Sequence, residues 1–553
     1  MPSLTSPATW GLLAALIGLT SILLTVIPLP PTLLAFLPFT IPPSITLTIP
    51  FLSPVLSQQP IHPLTALLST NAQLHLPTHP SYPHSTHRWS ASPRQSPALP
   101  SLVVLPATEQ DIVATIQYAN ENEIPFLATS GGHGTTTYLS QFGSAGDGKK
   151  GEAPGGILIN LRQLNSVALS ADGATATVGG GILAHELITA LWADNKQTTT
   201  GICSCVSFAG PALGGGHGLL QGQYGLAADQ IVGMRVVLGN GEVVDLEDPA
   251  LAKGDGKSEH EDLWWAMRGA GHNFGVVSEF RLKVHEVAED RKMWAYEVFV
   301  FPGERLEEVF GVLKALMEEQ PKWVTHWTMW GDDPENPTGK PSISTIVFYN
   351  GPLADSQAYT APIQALNPVG YVSGSAAYPD VNAVVGTAKD SPICQAKGTV
   401  GLRAVDVDDY DLAGLRKAFD ILEESIASDP ALGASFAMLE GYSVQAVQAV
   451  PAESSAFPHR DVRLMLAPLT FYDAVGNNTL DEAAAIWTKK MAKALDPGPK
   501  PRSYVNYGYG DESLEAAYGY EPWRLEKLRA VKKKYDPENR FRYYAPLVRS
   551  GDE

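Results

Sequence analysis

Cysteine is scarce in this chain of 553 residues, which carries only Cys203, Cys205 and Cys394. Three is too few and too odd a count for a disulfide framework, and no second CxxC-type pair accompanies Cys203 and Cys205 to suggest structural zinc. Buried thiols are the plain expectation, and for Cys394, in SPICQAKG, the one adopted. Charge is missing from the start of the chain, where Arg88 is the first charged side chain. Positive charge is in deficit throughout, with 39 Lys and Arg against 58 Asp and Glu and a formal net charge of −19. Such a surface repels phosphate backbones, so nucleic acid is not an expected partner.

What stands in the uncharged stretch is GLLAALIGLTSILLTVI, residues 11–27, followed by Pro28, Pro30 and Pro31. That run is long enough for the core of a signal peptide and only just long enough to span a membrane. Residues 1–60 are therefore expected to be a signal or anchor with its linker. The protein is expected to be secreted or held in the endomembrane lumen, touching the membrane only if this segment is retained. Asn477 in NNT is a glycosylation acceptor motif compatible with that route.

The length exceeds what a single core accommodates, and an apolar fraction of 44% with 20 Tyr and 11 Trp indicates a globular protein with large buried clefts. The folded body is expected to begin near Trp89. Thr108 and Asp111 resemble a capping box ahead of a helix in EQDIVATIQYANEN. IPFLATS reads as a short strand that runs straight into SGGHG at 130–134, placing this loop at a strand end. A polar, glycine-rich insert follows at 141–156, then strands in GGILINL and ATATVGGG and a helix in LAHELITALWAD. Asn240-Gly241 announces a hairpin within IVGMRVVLGNGEVVDL. From about 287 to 500 the helices lengthen, as in DYDLAGLRKAFDILEESIA, and alternate with strands such as SISTIVFYN, ASFAMLEGYS and VRLMLAPLTFY. Helices laid on an antiparallel sheet fit this order, giving an α+β class with two domains.

Residues 201–218, GICSCVSFAGPALGGGHG, hold two of the three cysteines in front of a glycine cluster. A nicotinamide fingerprint needs its glycines to follow a strand and open a helix, but here Pro211 interrupts the approach. An NAD-dependent dehydrogenase is the weaker account. Two glycine loops holding one dinucleotide through backbone N–H groups fit better, because anion nests demand close approach and unusual φ. A histidine from one loop and a cysteine from the other would then reach the same ring.

SGGHG, GICSCV, the segment GGGHGLLQGQYGLAADQIVGMRVVLGNGEVV, AFPHR at 456–460, YVNY at 504–507 and the terminal RLEKLRAVKKKYDPENRF together resemble the berberine bridge enzyme-like branch of the vanillyl-alcohol oxidase flavoproteins, over about residues 80–548. The resemblance implies a two-domain PCMH-type FAD-binding fold. Residues 89–286 would form the FAD-binding domain, 287–500 the substrate domain, and 501–549 a segment returning to the first. It implies bicovalent FAD, with His133 on the 8α-methyl and Cys203 on C6. Cys205 lies where the family has no attachment residue and is assigned to packing, although two neighbouring thiols leave the choice between them open. Ser130, Gly131, Gly132 and Gly134 would contact the pyrophosphate, while Gly214, Gly215, Gly216 and Gly218 would let backbone approach the cofactor. Tyr224, Asp229 and Ile231 continue along it, Asp229 and His217 having the plainer alternative of capping a turn or helix. Thr129 stands where the family often has a basic residue.

The same resemblance places YVNYGYG beside the flavin. Read as a strand, it puts Tyr504 and Asn506 on one face and Tyr507 on the other, which makes Tyr504 and Asn506 the catalytic candidates against a plainer role in core packing. Val206 occupies a position that in relatives faces the oxygen-reactive side of the ring, which suggests O2 as electron acceptor. The resulting expectation is a monomeric FAD-linked oxidase that acts on an alcohol or C–H bond of a secondary metabolite and releases H2O2. A carbohydrate oxidase and a secreted flavin-binding protein without turnover are the alternatives.

Overall fold

The computed structural model describes residues 62–90, 98–143, 155–251, 259–331, 340–395, 398–473, 478–496 and 498–549. The apolar run at 11–27, Asn477 and most of the insert at 141–156 lie outside the described residues. Packed structure is already present before Trp89. Leu64 is fully buried, and β1 (Gln73–His75) pairs with β2 (Leu102–Leu105). Histidine-rich composition hid this strand, because His75 is buried against Ser85 rather than solvated.

β2 and β3 (Phe126–Thr129) each pair in parallel with β4 (Ile157–Asn160), giving a four-stranded sheet of order β1-β2-β4-β3. The helix Glu109–Glu121 links β2 to β3 and starts at the expected capping box. Asp111 N–H donates to Thr108 Oγ1 at 3.3 Å, and Thr108 N–H donates to Asp111 Oδ2 at 2.9 Å. Its buried Ile112, Ile116 and Ala119 lie on the stripe that the helical period demands.

A second, antiparallel sheet runs β5 (Val167–Leu169), β6 (Thr175–Gly179), β10 (Gly275–Lys283), β8 (Ile231–Leu238), β9 (Val243–Glu247). β7 (Lys196–Gln197) and β11 (His285–Glu286) form a small ribbon. At the β8–β9 turn Gly241 has φ +85°, so glycine meets the backbone demand there, and Asn240 is not among the residues with positive φ.

The largest sheet has the order β15-β12-β14-β13-β18-β19-β16, with β17 also paired to β19, and is antiparallel throughout. Its strands are β12 (Met293–Pro302), β13 (Val324–Gly331), β14 (Ser342–Asn350), β15 (Gly370–Ala377), β16 (Thr399–Leu402), β17 (Val405–Val407), β18 (Phe436–Tyr442) and β19 (Leu464–Tyr472). Side chains alternate across it. Trp330, Ala437 and Leu439 turn toward the helices Leu306–Glu318, Leu412–Ser428 and Asn478–Leu495, where Trp330 meets Phe310 edge-on at 5.7 Å. Trp327, Met329, Met438 and Glu440 face the other way, into a cavity. The α+β class expected from the sequence is the class observed.

Candidate active site

One cavity of about 2730 Å³ collects residues from all three large sheets. That exceeds the few hundred to ~1,000 Å³ of an ordinary small-molecule site, leaving room for a large cofactor as well as a substrate.

The SGGHG loop leaves β3 and packs on the cysteine loop. A Cβ on Gly131 would lie 2.8 Å from Ser207 N and 3.0 Å from Cys205 O, so only glycine lets the two backbones approach this closely. Gly132 has φ +69° and would bring a Cβ to 3.1 Å from His87 O. The Ser130 hydroxyl is buried without a partner at the cavity edge. A buried orphan hydroxyl beside a glycine cradle is what a polar ligand group would satisfy.

The His133 ring stacks on Trp89 with centroids 5.2 Å apart, and the Trp89 indole N–H donates to Ile393 O at 2.7 Å. Burial, with Arg88 and His87 nearby, pulls the His133 pKa down to about 4, so its imidazole is neutral and keeps a free lone pair at physiological pH. Arg88 sits behind the loop, donating through Nη2 to Gly134 O while its Nε finds no partner. Arg88 is thus a buried cation against this loop, forty-one positions before Thr129, with no local motif to announce it. Cys203 lines the same cavity, and burial pushes its thiol up to about 11. Val206 lines it too, its N–H donating to Cys203 O at 3.2 Å.

The cysteines require a correction. Cys205 and Cys394 form a disulfide across a sequence separation of 189, leaving Cys203 as the free thiol. Neither sulfur is therefore a packing thiol, and a total of three did not preclude one bridge.

The YVNYGYG segment is not a strand. Val505–Tyr507 form a single 3-10 turn, so face alternation does not apply. Tyr504 and Asn506 bond directly, Nδ2 to Oη at 2.6 Å, and Tyr504 Oη also accepts from Gly216 N–H at 3.1 Å. Asn506 further donates to Pro211 O at 2.9 Å and shares a 3.0 Å bond with His272 Nε2. Burial raises the Tyr504 pKa far above neutrality. Both residues line the cavity, but with their polar atoms engaged by protein.

The polar group that sequence reasoning missed is Glu440 on β18. Tyr442 donates to Oε2 at 2.6 Å and Tyr507 donates to Oε1 at 3.2 Å. Burial raises the Glu440 carboxyl to about 7, against the lowering effect of these two phenols. All three side chains line the cavity. Around them stand Trp327, Met329, Phe436, Met438 and Phe471, a largely apolar and aromatic roof.

His133, Cys203, Ser130, Gly131, Gly132, Gly134, Val206, Gly218, Tyr504 and Asn506 all border this cavity, whereas several other expected contacts do not. Gly214, Gly215 and Gly216 are not among its wall residues; a Cβ there would meet Asn506 and Val505 at Gly214, Phe457 at Gly215 and Ala227 at Gly216. Tyr224 stacks on His285 at 3.8 Å. Ile231 is buried core. Asp229 takes the plainer role, accepting from Leu226 N–H at 2.9 Å and holding Arg460 of AFPHR at 2.8 Å. His217 lines the cavity, with Nδ1 bonded to Gln221 Oε1 at 2.9 Å.

A glycine cradle, an orphan hydroxyl and a large cavity roofed by an antiparallel sheet are the features of a site for a bulky cofactor with polar groups. A family model described as an FAD binding domain matches residues 100–247, and one described as berberine and berberine like matches 503–546. The FAD-linked oxidoreductase chyH of Penicillium rubens is 34% identical over 493 residues, covering 88% of this chain and 93% of its own. The FAD-linked oxidoreductase anuG of Penicillium roqueforti is 36% identical over 508 residues, covering 90% and 93%. Among solved structures, a chitooligosaccharide oxidase aligns with a TM-score of 0.71 at 21% identity, over 88% of this chain and 99% of that one. A 6-hydroxy-D-nicotine oxidase from Arthrobacter nicotinovorans aligns with 0.69 at 23%, over 87% and 98%. The chain belongs to the berberine bridge enzyme-like FAD-linked oxidoreductases and has their PCMH-type fold.

Proposed function

We propose that this FAD-dependent oxidoreductase is an oxidase for an apolar or aromatic alcohol, with the flavin attached to both His133 and Cys203. The observation that carries the reading is the meeting of the two loops on one cavity that the Tyr507–Glu440 pair also lines. FAD held there would supply a two-electron acceptor that O2, taking two electrons and two protons to give H2O2, can reoxidise. His133 serves as the ring's neutral nucleophilic partner, and Ser130 with the Gly131–Gly134 backbone holds the pyrophosphate. Tyr507 takes the substrate hydroxyl proton at Oη as its own proton passes to Glu440 Oε1. Near neutrality the carboxyl is close to half ionised, so this relay starts from an acceptor matched to the working pH. Tyr504 and Asn506 brace the glycine loop through the bonds to Gly216 and Pro211.

The apolar roof favours a hydrophobic metabolite over the sugar substrates that the names of some structural neighbours carry. Val206 beside Cys203 is a small side chain that leaves O2 access to the ring. Secretion fits the Cys205–Cys394 disulfide, since such bridges persist in oxidising compartments. No described helix is long and apolar enough to cross a membrane. We propose the division at residues 89–286, 287–500 and 501–549, with residues 62–88 added to the first part; the grouping of strands into sheets supports it.

The test is peroxide release and anaerobic bleaching of the yellow protein with a panel of benzylic, allylic and terpenoid alcohols set beside oligosaccharides. Turnover confined to the oligosaccharides overturns the substrate class. Turnover with no member of the panel, from protein that carries flavin, favours the binding protein without catalysis.

A further inference from the structure

The segment that joins β15 to β16 runs from Tyr378 to Gln395 and lies against the cysteine loop. Asn382 Nδ2 donates to Ser204 Oγ at 2.7 Å, Ser204 N–H donates to Thr387 O at 3.0 Å, and Trp89 holds Ile393. Cys394 sits at its end, bonded to Cys205. The free Cys203 sulfur is 3.6 Å from the sulfur of Cys205 and 3.9 Å from that of Cys394. Only Cys203 of the three lines the cavity.

Three sulfurs this close can pair in three ways, and each pairing leaves a different thiol. We propose that Cys394 is a positioning residue that designates Cys203 as the flavin-linking thiol, by keeping Cys205 oxidised and out of competition. The proposal rests on the reading that Cys203 joins the ring.

The chemistry explains why a guard is needed. Thioether formation replaces the S–H of Cys203 and one ring C–H by an S–C bond, and O2 takes the two electrons and two protons as H2O2. Oxidation of Cys203 with a free Cys205 draws on the same O2, joins the two sulfurs and also gives H2O2. The second reaction consumes the thiol that the first requires. With Cys205 held by Cys394, the remaining hazard is exchange, which is redox-neutral and needs a thiolate. Burial raises the Cys203 thiol to about 11, which slows every reaction of that sulfur, exchange included.

The test compares Cys394→Ala with the double variant Cys205→Ala/Cys394→Ala. Both lose the bridge, so the lost cross-link affects them alike, and they differ in whether a competing thiol is present. The hydrogen bonds between the segment and Ser204 are independent of the bridge, which keeps the loops apposed in both. The readout is peptide mapping under non-reducing conditions after alkylation, together with the fraction of flavin that stays on the Cys203 peptide. The wild type is expected to show Cys205 joined to Cys394 and flavin on Cys203. In Cys394→Ala the Cys203 thioether should fall by about half or more, with a Cys203–Cys205 disulfide or flavin on Cys205 in its place. The double variant should recover the wild-type yield on Cys203.

An unchanged yield in Cys394→Ala overturns the proposal, as does an equally low yield in both variants, which would make the bridge a mechanical brace only. Wild-type protein with Cys203 in a disulfide also overturns it. Wild-type protein whose Cys205–Cys394 bridge is present but whose flavin is held by His133 alone shows instead that the attachment reading has failed.

Discussion

The Tyr507 hydroxyl donates to Glu440 Oε1 at 3.2 Å, joining a turn near the C-terminus to β18 in the wall of the cavity. The pair gives the site a proton acceptor tuned by burial rather than by a cation. A rising carboxyl pKa means the protonated form dominates below about 7 and the competent carboxylate above it. The rate of flavin reduction is therefore expected to rise with pH through about 7 and then level. Glu440→Gln should lower that rate by about 10²–10⁴-fold and remove the limb near 7, while Tyr507→Phe lowers it comparably. Stopped-flow reduction at several pH values is the measurement, and a pH limb that survives in Glu440→Gln counts against the assignment.

Flavin attachment can be read without turnover. His133→Ala and Cys203→Ala should each leave yellow, fluorescent polypeptide after acid precipitation, because the other bond persists. The double variant should release all of its colour into the supernatant. Complete release from the wild type would contradict attachment through either residue.

How much of this was legible in the sequence varies with the range of the interaction. The capping box at Thr108 and the β3 exit into SGGHG are local, and each lies where the pattern put it. Glu440 was invisible because ASFAMLEGYS reads as an ordinary core strand, and its significance comes from Tyr507, sixty-seven positions away. The Cys205–Cys394 bridge was hidden for the same reason, since no spacing rule covers a separation of 189. YVNYGYG misled through its β-prone tyrosines, whereas the bonds of Asn506 to Tyr504 and Pro211 hold the chain in a turn. For GGGHG the pattern did not show what the first three glycines pack on, which is Asn506, Phe457 and Ala227.

Asp229 separates a structural from a ligand-binding role. Its carboxylate and the Arg460 guanidinium are 5% and 4% exposed and form a pair at 2.8 Å. Removing one partner strands the other charge away from water, at a cost of about 3–5 kcal/mol. Asp229→Ala is thus expected to lower the midpoint of denaturant unfolding strongly, while any folded fraction keeps flavin at the wild-type ratio. A variant of normal stability that fails to retain flavin would restore Asp229 to the cofactor.

Two glycines give opposite expectations from one substitution. At Gly131 a methyl group would press on the backbone of Ser207 and Cys205, neither of which can swing aside as a side chain tip would. Gly131→Ala should therefore part the two loops, and flavin incorporation should fall sharply even where circular dichroism shows a folded chain. Gly311, inside the helix Leu306–Glu318, faces open space, with nothing within 4 Å of where a Cβ would stand, and carries helical backbone. Gly311→Ala should raise stability by about 0.5–1 kcal/mol through the lower entropy of the unfolded chain, with flavin content unchanged. Denaturant unfolding and the ratio of flavin to protein absorbance read both effects. Equal flavin content in the two variants would mean that close contact between the histidine and cysteine loops is not what forms the cofactor site.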